Sequence, residues 1–314
     1  MWVKSPSALQ SFAIYPQKQK GNSQMACEEH ERAIHVGEDT SVPTYAENDL
    51  SKVRHVIGVV SGKGGVGKSM VCGILAVELA RRGNKVGILD ADITGPSVPR
   101  MFGMAGQHAT GLGNLLLPNI SRRGIKVMSA NLVLPNETDP VLWRGPVLAG
   151  AIRQFWSETS WGPLDYLLVD MPPGTGDVPL TVFQSLPIDG IVIVTSPQDL
   201  VGMVVGKAVR MAELMNIPVI GLVENMSYIS CPHCGEKVEL FGQSHAQEVA
   251  EKWGLKDLGH LPIDPALAQA CDTGTFEDEM PDGLLDTAIE CLLGLPEKSD
   301  EASDEKSSSE PASE

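Results

Sequence analysis

The sequence predicts an α/β fold in which a mostly parallel, twisted β-sheet is covered by helices on both faces. Three observations support this fold class. Short apolar runs rich in β-branched residues alternate along the chain with segments of helical spacing. These runs are apolar at most positions, which is typical of strands buried on both faces of a parallel sheet. Two of them end in aspartates and another runs into a glycine-rich segment, and ligands bind at the carboxyl ends of the strands in such sheets.

The alternation divides into six predicted strands and several predicted helices. The strands cover residues 55–61, 85–90, 125–129, 164–170, 190–195 and 218–225. Helical spacing follows the first strand as far as Gly83, a residue type that commonly ends helices. The same spacing returns at 147–157 and 200–215, and an apolar helix is predicted over 284–293.

A glycine-rich segment, Ser-Gly-Lys-Gly-Gly-Val-Gly-Lys-Ser at residues 61–69, connects the first strand to the first helix. Its Gly62-x4-Gly67-Lys68-Ser69 pattern is that of a phosphate-binding loop, and the strand and helix supply the required context. Glycines let backbone N–H groups converge on phosphate oxygens, and the helix N-terminus favours their charge. We expect Lys68 to neutralise the β- and γ-phosphates and the Ser69 hydroxyl to ligate Mg²⁺. The predicted nucleotide-binding residues of this loop are Gly62, Lys63, Gly64, Gly65, Val66, Gly67, Lys68, Ser69 and Met70.

Two other predicted strands end in aspartates, which places carboxylates beside this loop. Asp90 ends the strand at 85–90, with Asp92 two residues further on, and Asp170 ends the strand at 164–170. Carboxylates there can orient a water molecule or hold hydrated Mg²⁺. We expect Asp170 to hold Mg²⁺ through water, and the Pro-Pro-Gly-Thr-Gly segment after it to sense the γ-phosphate. Asp90 and Asp92 could instead cap the turn that follows them.

Cys231-Pro-His-Cys234-Gly235 has the spacing of a metal-binding turn. Such a tight turn aims both sulfurs at one ion, and Gly235 can adopt the positive φ that it requires. Two thiolates cannot complete a four-coordinate site, but two chains related by a two-fold axis can supply four. The pattern therefore predicts a homodimer. Cys72 and Cys291 fall on apolar helices and are predicted to lie in the core.

Taken together, these motifs resemble the Mrp/ApbC family of iron–sulfur cluster carrier ATPases over residues 52–293. The resemblance rests on the loop above, Asp-Ala-Asp-Ile-x-Gly-Pro-Ser-Val-Pro, Asp-Met-Pro-Pro-Gly-Thr-Gly-Asp, and Glu-Asn-Met-Ser before Cys-Pro-x-Cys-Gly. It implies a P-loop NTPase fold and an ATPase that uses ATP and Mg²⁺. It also implies a homodimer that bridges a labile 4Fe–4S cluster through Cys231 and Cys234. The cluster would come from a donor and pass to apo iron–sulfur proteins.

The loop itself resembles the deviant phosphate loop of the MinD, ParA, ArsA and nitrogenase-reductase group, in which Lys63 is the additional lysine. By this resemblance Lys63 would reach the partner's nucleotide and offset transition-state charge. Asp92 would position the attacking water with support from Asp90, and Asn225 would read adenine. The predicted catalytic residues are Lys63, Lys68 and Asp92. Alternatively, Lys63 is a solvated loop lysine and Asn225 caps a turn.

Other functions use some of the same motifs. A zinc-bridged dimeric targeting ATPase would also suit a Cys₄ site, although no dense methionine cluster is present for its client groove. A MinD/ParA-like positioning ATPase would need a basic amphipathic C-terminal helix, and the segment at 284–293 is acidic. A thioredoxin-like thiol oxidant is a third alternative.

Composition limits the classes of partner. The 314-residue chain has a net charge of −16, which argues against nucleic acid and anionic membranes as main partners. No apolar run reaches the roughly 18 residues of a membrane span, and the first twenty residues show no secretory signal. Six cysteines without a regular framework favour a reducing cytoplasm.

We expect three regions along the chain. Residues 1–50 are polar and aperiodic, so little order is expected there, and Met25 is an alternative translation start. Residues 51–295 form the predicted P-loop ATPase domain, with the cysteine turn at 231–234. Residues 296–314 form an acidic, disordered tail.

Overall fold

The computed structural model describes residues 46–93, 95–134, 145–197 and 201–297. The expected disorder of the N-terminal segment up to residue 45 and of the tail from residue 298 therefore lies outside the described residues. Among the described residues, no helix is long and apolar enough to cross a membrane.

Strands and helices alternate through the described chain. The strands are β1 (Lys52–Ser61), β2 (Val86–Asp90), β3 (Thr110–Leu112), β4 (Leu115–Leu117), β5 (Asn119–Ile120), β6 (Lys126–Ser129), β7 (Pro163–Asp170), β8 (Gly190–Thr195), β9 (Val219–Ser230), β10 (Lys237–Val238) and β11 (Asp257–Pro262). The helices are α1 (Lys68–Arg81), α2 (Val98–Met101), α3 (Gly145–Ser157), α4 (Asp177–Phe183), α5 (Val201–Leu214), α6 (Ala246–Trp253), α7 (Pro265–Thr273), α8 (Phe276–Glu279) and α9 (Asp286–Leu293).

The main sheet has the strand order β10-β9-β8-β1-β7-β2-β6-β5, and β11 pairs in addition with β9. Strands β9, β8, β1, β7, β2 and β6 run parallel to their neighbours, whereas β5 and β10 are antiparallel additions at the edges. The predicted α/β class with a mostly parallel sheet is therefore confirmed. Because β1 lies between β7 and β8, its carboxyl end and the loop that follows it lie in the middle of the sheet.

Both faces of the sheet are covered by apolar cores. In β1, Val56 and Val60 pack into the core that also contains residues of α3, α5 and α6. Ile57 and Val59 pack into the opposite core, which contains residues of α1 and α9. This alternation follows from the period of two along a strand. It explains why the strand is apolar at nearly every position.

The largest difference from the predicted elements is in β9. The sequence predicts a strand over 218–225, but β9 continues to Ser230 because its second half pairs with β11 and β10. Met226 lies in this extension with φ of 61°, an uncommon value for a residue with a side chain. These pairings join segments that are distant in the sequence, so hydrophobic periodicity alone does not predict them.

Candidate functional site

The phosphate loop has the predicted strand–loop–helix geometry, with β1 ending at Ser61 and α1 beginning at Lys68. Gly65 and Gly67 adopt φ values of 82° and 80°, which residues other than glycine rarely adopt. Close contact constrains Gly67 further, because a Cβ there would lie 2.1 Å from Asn225 Nδ2. The loop therefore depends on glycine for both conformation and space.

Lys68 is buried at the start of α1 and forms an ion pair with Asp170 at the end of β7. Its Nζ is also 4.0 Å from Asp92 Oδ2. Burial alone lowers the pKa of Lys68, but the carboxylates of Asp170, Asp92 and Asp90 outweigh it, so the pKa is raised. Lys68 is therefore a buried, charged ammonium group held where the loop converges.

Asp170 is fully buried beside the phosphate loop, since β7 pairs with β1. Burial raises the pKa of Asp170, and the opposing effects of Lys68 and the Ser69 hydroxyl do not offset it, so the pKa is raised overall. Among the described residues, Asp170 Oδ2 is buried without a partner of good hydrogen-bond geometry. A buried carboxylate oxygen with spare acceptor capacity beside a serine hydroxyl fits the oxygen ligands that Mg²⁺ requires, directly or through water.

The two other predicted aspartates have different surroundings. Asp90 is fully buried and accepts hydrogen bonds from the Asp92 backbone N–H (3.2 Å) and the Ser129 hydroxyl (3.2 Å). Burial and the nearby Asp170 carboxylate raise the pKa of Asp90 well above its usual range. Its contacts hold the turn after β2, whereas Asp92 faces the cavity beside the loop. The water-positioning role of Asp92 stays a prediction.

That cavity has a volume of about 330 Å³ and is bordered by the phosphate loop. The predicted residues that line it are Gly64, Gly65, Gly67, Lys68, Ser69, Met70 and Asp92. Its remaining wall includes Pro173, which belongs to the predicted γ-phosphate-sensing segment, and also Arg100, Cys271 and Asp272, for which no role was predicted. No local motif marks Cys271 or Asp272, because α7 approaches α2 only in the folded chain.

Three of the predicted loop residues, all within the described part of the chain, do not line this cavity. Lys63 is exposed and Val66 is buried. Gly62 provides space for α5, since a Cβ there would lie 2.2 Å from the side chain of Val204. The exposure of Lys63 is compatible with a contact to a second copy of the chain. Its role in trans stays a prediction.

Asn225 is fully buried on β9, and its side chain contacts the phosphate loop. Its Nδ2 donates to the backbone carbonyl of Val66 (2.9 Å), and its Oδ1 accepts from the backbone N–H of Met226 (2.9 Å). This geometry makes Asn225 a support of the loop. Its predicted contact with adenine stays untested.

The cysteine turn closes a hairpin between β9 and β10. The backbone N–H of Cys231 donates to Glu236 (2.8 Å), and that of Gly235 donates to Cys231 (2.8 Å). Gly235 has φ of 74°, as the sequence predicts. Hydrogen bonds from the backbone N–H groups of His233 and Cys234 lower the pKa of the Cys231 thiol. Both cysteines are accessible, Cys234 more than Cys231.

One chain supplies two thiols at this turn. Within the described residues, no group of three or more histidine, cysteine, aspartate or glutamate side chains is arranged to hold a metal ion. Cys72 is buried, as predicted for a core residue, and Cys291 is half-buried on α9. The described residues therefore supply two thiols at this turn, those of Cys231 and Cys234.

Comparison with known proteins agrees with this geometry. Residues 52–292 match the family model described as ParA, NUBPL iron-transfer P-loop NTPase. The chain is 48% identical over 260 residues to the iron–sulfur cluster carrier protein of Clostridium perfringens, covering 81% of this chain and 91% of that protein.

Two solved structures are similar to this chain, one in sequence and fold and the other in fold alone. A nucleotide-binding protein from Archaeoglobus fulgidus, in complex with ADP and with Co, is 46% identical. The match covers 74% of this chain and 91% of that one, with a TM-score of 0.68. The cell division ATPase MinD of Pyrococcus furiosus shares the fold at 18% identity and a TM-score of 0.55, with 76% and 97% of the two chains covered. From its phosphate loop, its sheet and the extent of the family match, the chain belongs to the ParA family of NUBPL iron-transfer P-loop NTPases.

Proposed function

We propose that this protein is an ATP-dependent carrier of iron–sulfur clusters. Two copies would hold a labile 4Fe–4S cluster between them through Cys231 and Cys234 and pass it to apo-proteins. One observation carries the proposal. Strand β9 contacts the phosphate loop through Asn225 and ends at the accessible cysteine turn. The nucleotide site and the cargo site thus share one strand.

The cargo half of the proposal rests on ligand number. A 4Fe–4S cluster is held by four thiolates, and the turn supplies two. A two-fold dimer doubles that set without a new motif. Backbone N–H groups that lower the pKa of Cys231 favour the thiolate, which is the form that binds metal. Accessible thiols also suit a cluster that must be received from a donor and released.

The nucleotide half of the proposal is hydrolysis of ATP. Lys68 would bind the β- and γ-phosphates after leaving its ion pair with Asp170, and Ser69 and Asp170 would hold Mg²⁺. When bound, Mg²⁺ would neutralise phosphate charge. Asp92 would orient a water molecule to attack the γ-phosphorus, which produces ADP and phosphate. Lys63 of a second copy would offset the charge that develops in the transition state.

The organisation of the chain fits one nucleotide-binding domain with an appended cargo hairpin. We propose that residues 51–295 form this domain, because β1 begins at Lys52 and α9 ends at Leu293. Zinc is the chemical alternative for the same Cys₄ site. A zinc-bridged targeting ATPase is therefore the second candidate function.

Metal and acid-labile sulfide analysis of protein purified and reconstituted without oxygen tests the proposal. We expect about four irons and four sulfides per dimer. Cys231→Ser and Cys234→Ser should abolish cluster uptake, whereas Cys271→Ser and Cys291→Ser should leave it unchanged. Stoichiometric zinc without sulfide would favour the targeting function. Full cluster content in the Cys231→Ser/Cys234→Ser double variant would refute the ligand assignment.

A further inference from the structure

The hairpin that carries the cysteines exposes large apolar side chains. Val238 is 47% exposed, Leu240 56% and Phe241 49%. Leu240 and Phe241 are the two central residues of a turn closed by the Gly242 N–H and the Glu239 carbonyl (3.4 Å). Turn centres are usually glycine, proline or small polar residues. Two adjacent large apolar residues there have no local structural explanation.

The strand register places part of this apolar surface on the same face as Cys231. Ile229 pairs with Val238 and Ser230 with Lys237, and the backbone N–H of Cys231 continues this ladder to Glu236. Side chains alternate between the two faces of a strand. Cys231, Ile229, Val238 and Glu236 therefore lie on one face.

The opposite face of the hairpin is already occupied by a contact within the chain. Lys237 Nζ lies 4.1 Å from the ring centroid of Tyr228. This cation–π contact covers the tyrosine ring with a charged group. The two faces thus differ in character: Lys237 and Tyr228 lie on one, whereas Ile229 and Val238 lie on the other with Cys231 and the charged Glu236.

We propose that Val238, Leu240 and Phe241 form an apolar collar, which packs against the same residues of a second copy and encloses the shared cluster. The proposal rests on the proposed function, because it takes the second copy as the source of the other two thiolates. If a second copy supplies the other two thiolates, the two hairpins meet, and the exposed apolar side chains that they carry are then buried. Their burial would stabilise the dimer and limit the access of water and chelators to the cluster.

A pair of double variants tests the collar. Val238→Ser/Phe241→Ser removes apolar surface from the hairpin and leaves the cysteines and the phosphate loop intact. Leu112→Ser/Ile120→Ser is the matched control, because Leu112 (62%) on β3 and Ile120 (66%) on β5 are also exposed apolar side chains, more so than Val238 and Phe241. All the side chains changed are solvent-exposed in the single chain. Both variants should therefore keep the wild-type circular dichroism spectrum and nucleotide affinity.

After anaerobic reconstitution, two quantities are measured for each variant. Analytical ultracentrifugation gives the dimer dissociation constant, and absorbance gives the rate of cluster loss to a ferrous chelator. We expect both to rise by roughly tenfold or more in Val238→Ser/Phe241→Ser, given the transfer free energy of the lost apolar surface. The control variant should match the wild type.

The outcomes separate the collar from the function on which it rests. Wild-type dissociation and cluster-loss rates in Val238→Ser/Phe241→Ser would overturn the collar while leaving the carrier function intact. Slower transfer to an apo-ferredoxin with unchanged dimerisation and retention would also overturn it, since the surface would then contact a recipient. If the wild-type protein itself takes up no cluster, or holds one as a monomer, the proposed function fails first.

Discussion

Asn225 Nδ2 donates a hydrogen bond of 2.9 Å to the backbone carbonyl of Val66. This contact joins β9 to the phosphate loop over 159 residues of sequence, and Cys231 lies six residues further along the same segment. The contact places the fully buried amide side chain of Asn225 against the loop that is predicted to bind the nucleotide.

Replacing Asn225 tests the importance of this contact. Asn225→Ala leaves the Val66 carbonyl without its donor, and an unpaired buried polar group costs about 1–3 kcal/mol. We expect the affinity for ADP to fall by roughly tenfold. We expect the free energy of unfolding to fall by about 1–3 kcal/mol. Isothermal titration calorimetry and urea denaturation measure the two effects. Asn119→Ala, in the edge strand β5, is the control, and equal ADP affinities in the two variants would contradict the prediction.

The two loop lysines should separate binding from turnover. Lys68→Ala removes the buried ammonium group that the loop holds toward the phosphates, so we expect nucleotide binding to be lost. Lys63→Ala should leave affinity within about threefold and slow ATP hydrolysis by about tenfold or more, because a cation in trans acts on transition-state charge. Fluorescent-nucleotide titration and phosphate release distinguish them. Lys256→Ala is the surface control, and unchanged turnover in Lys63→Ala would refute the role in trans.

His260 should make stability depend on pH. It lies 2.8 Å from Asp257 Oδ2 and 3.3 Å from Glu224 Oε2. Partial burial lowers the pKa of His260, but hydrogen bonds and charge from Asp257 and Glu224 outweigh it, so the pKa is raised. Because the folded pKa exceeds the unfolded value, the stabilisation is complete below about pH 6.5 and is lost as pH rises through the folded pKa.

Urea denaturation at pH 6 and pH 9 checks this sign. The wild type should exceed His260→Gln in free energy of unfolding by more at pH 6 than at pH 9. His108→Gln, at an exposed histidine, is the control variant. A difference that grows toward pH 9 would show that the interaction has the opposite sign.

The cysteines should react in a defined order in the metal-free protein. Hydrogen bonds from backbone N–H groups lower the pKa of Cys231. Partial burial, aided by Asp272, raises the pKa of Cys271 to about 11. At neutral pH, iodoacetamide should therefore modify Cys231 well before Cys271, and Cys72 should stay unmodified because it is fully buried. Peptide mass spectrometry over time measures the order. Faster alkylation of Cys271 would mean that the turn does not activate its thiol.

Local sequence was sufficient for the features whose chemistry is contiguous. The phosphate loop needs glycines at two backbone positions with positive φ, a lysine and a hydroxyl, all within residues 62–69. The cysteine turn needs two thiols and Gly235, within five residues. The strands of the central sheet were predictable because burial on both faces makes them apolar throughout. The family resemblance is confirmed by the match over residues 52–292.

Other parts of the site depend on contacts that no local pattern encodes. Asp170 was predicted to hold Mg²⁺, but its ion pair with Lys68 follows from β7 pairing with β1. Cys271 and Asp272 were missed because α7 borders the cavity only after α2 packs against it. Asn225 was predicted from resemblance to read a base, and that role stays a prediction; its hydrogen bond to the Val66 carbonyl follows from the pairing of β9 in the sheet.

The amino-acid sequence alone determined which chemical groups the site contains. The phosphate loop and the cysteine pair are each made of residues that are neighbours in the chain. Where the phosphate loop and the cysteine pair lie relative to each other was decided by the tertiary structure alone. Pairing of β9 with β8, β10 and β11 extends one strand from the nucleotide loop to the thiols. The physical reason is that strand pairing joins residues remote in sequence, and its energy depends on where the whole sheet places them.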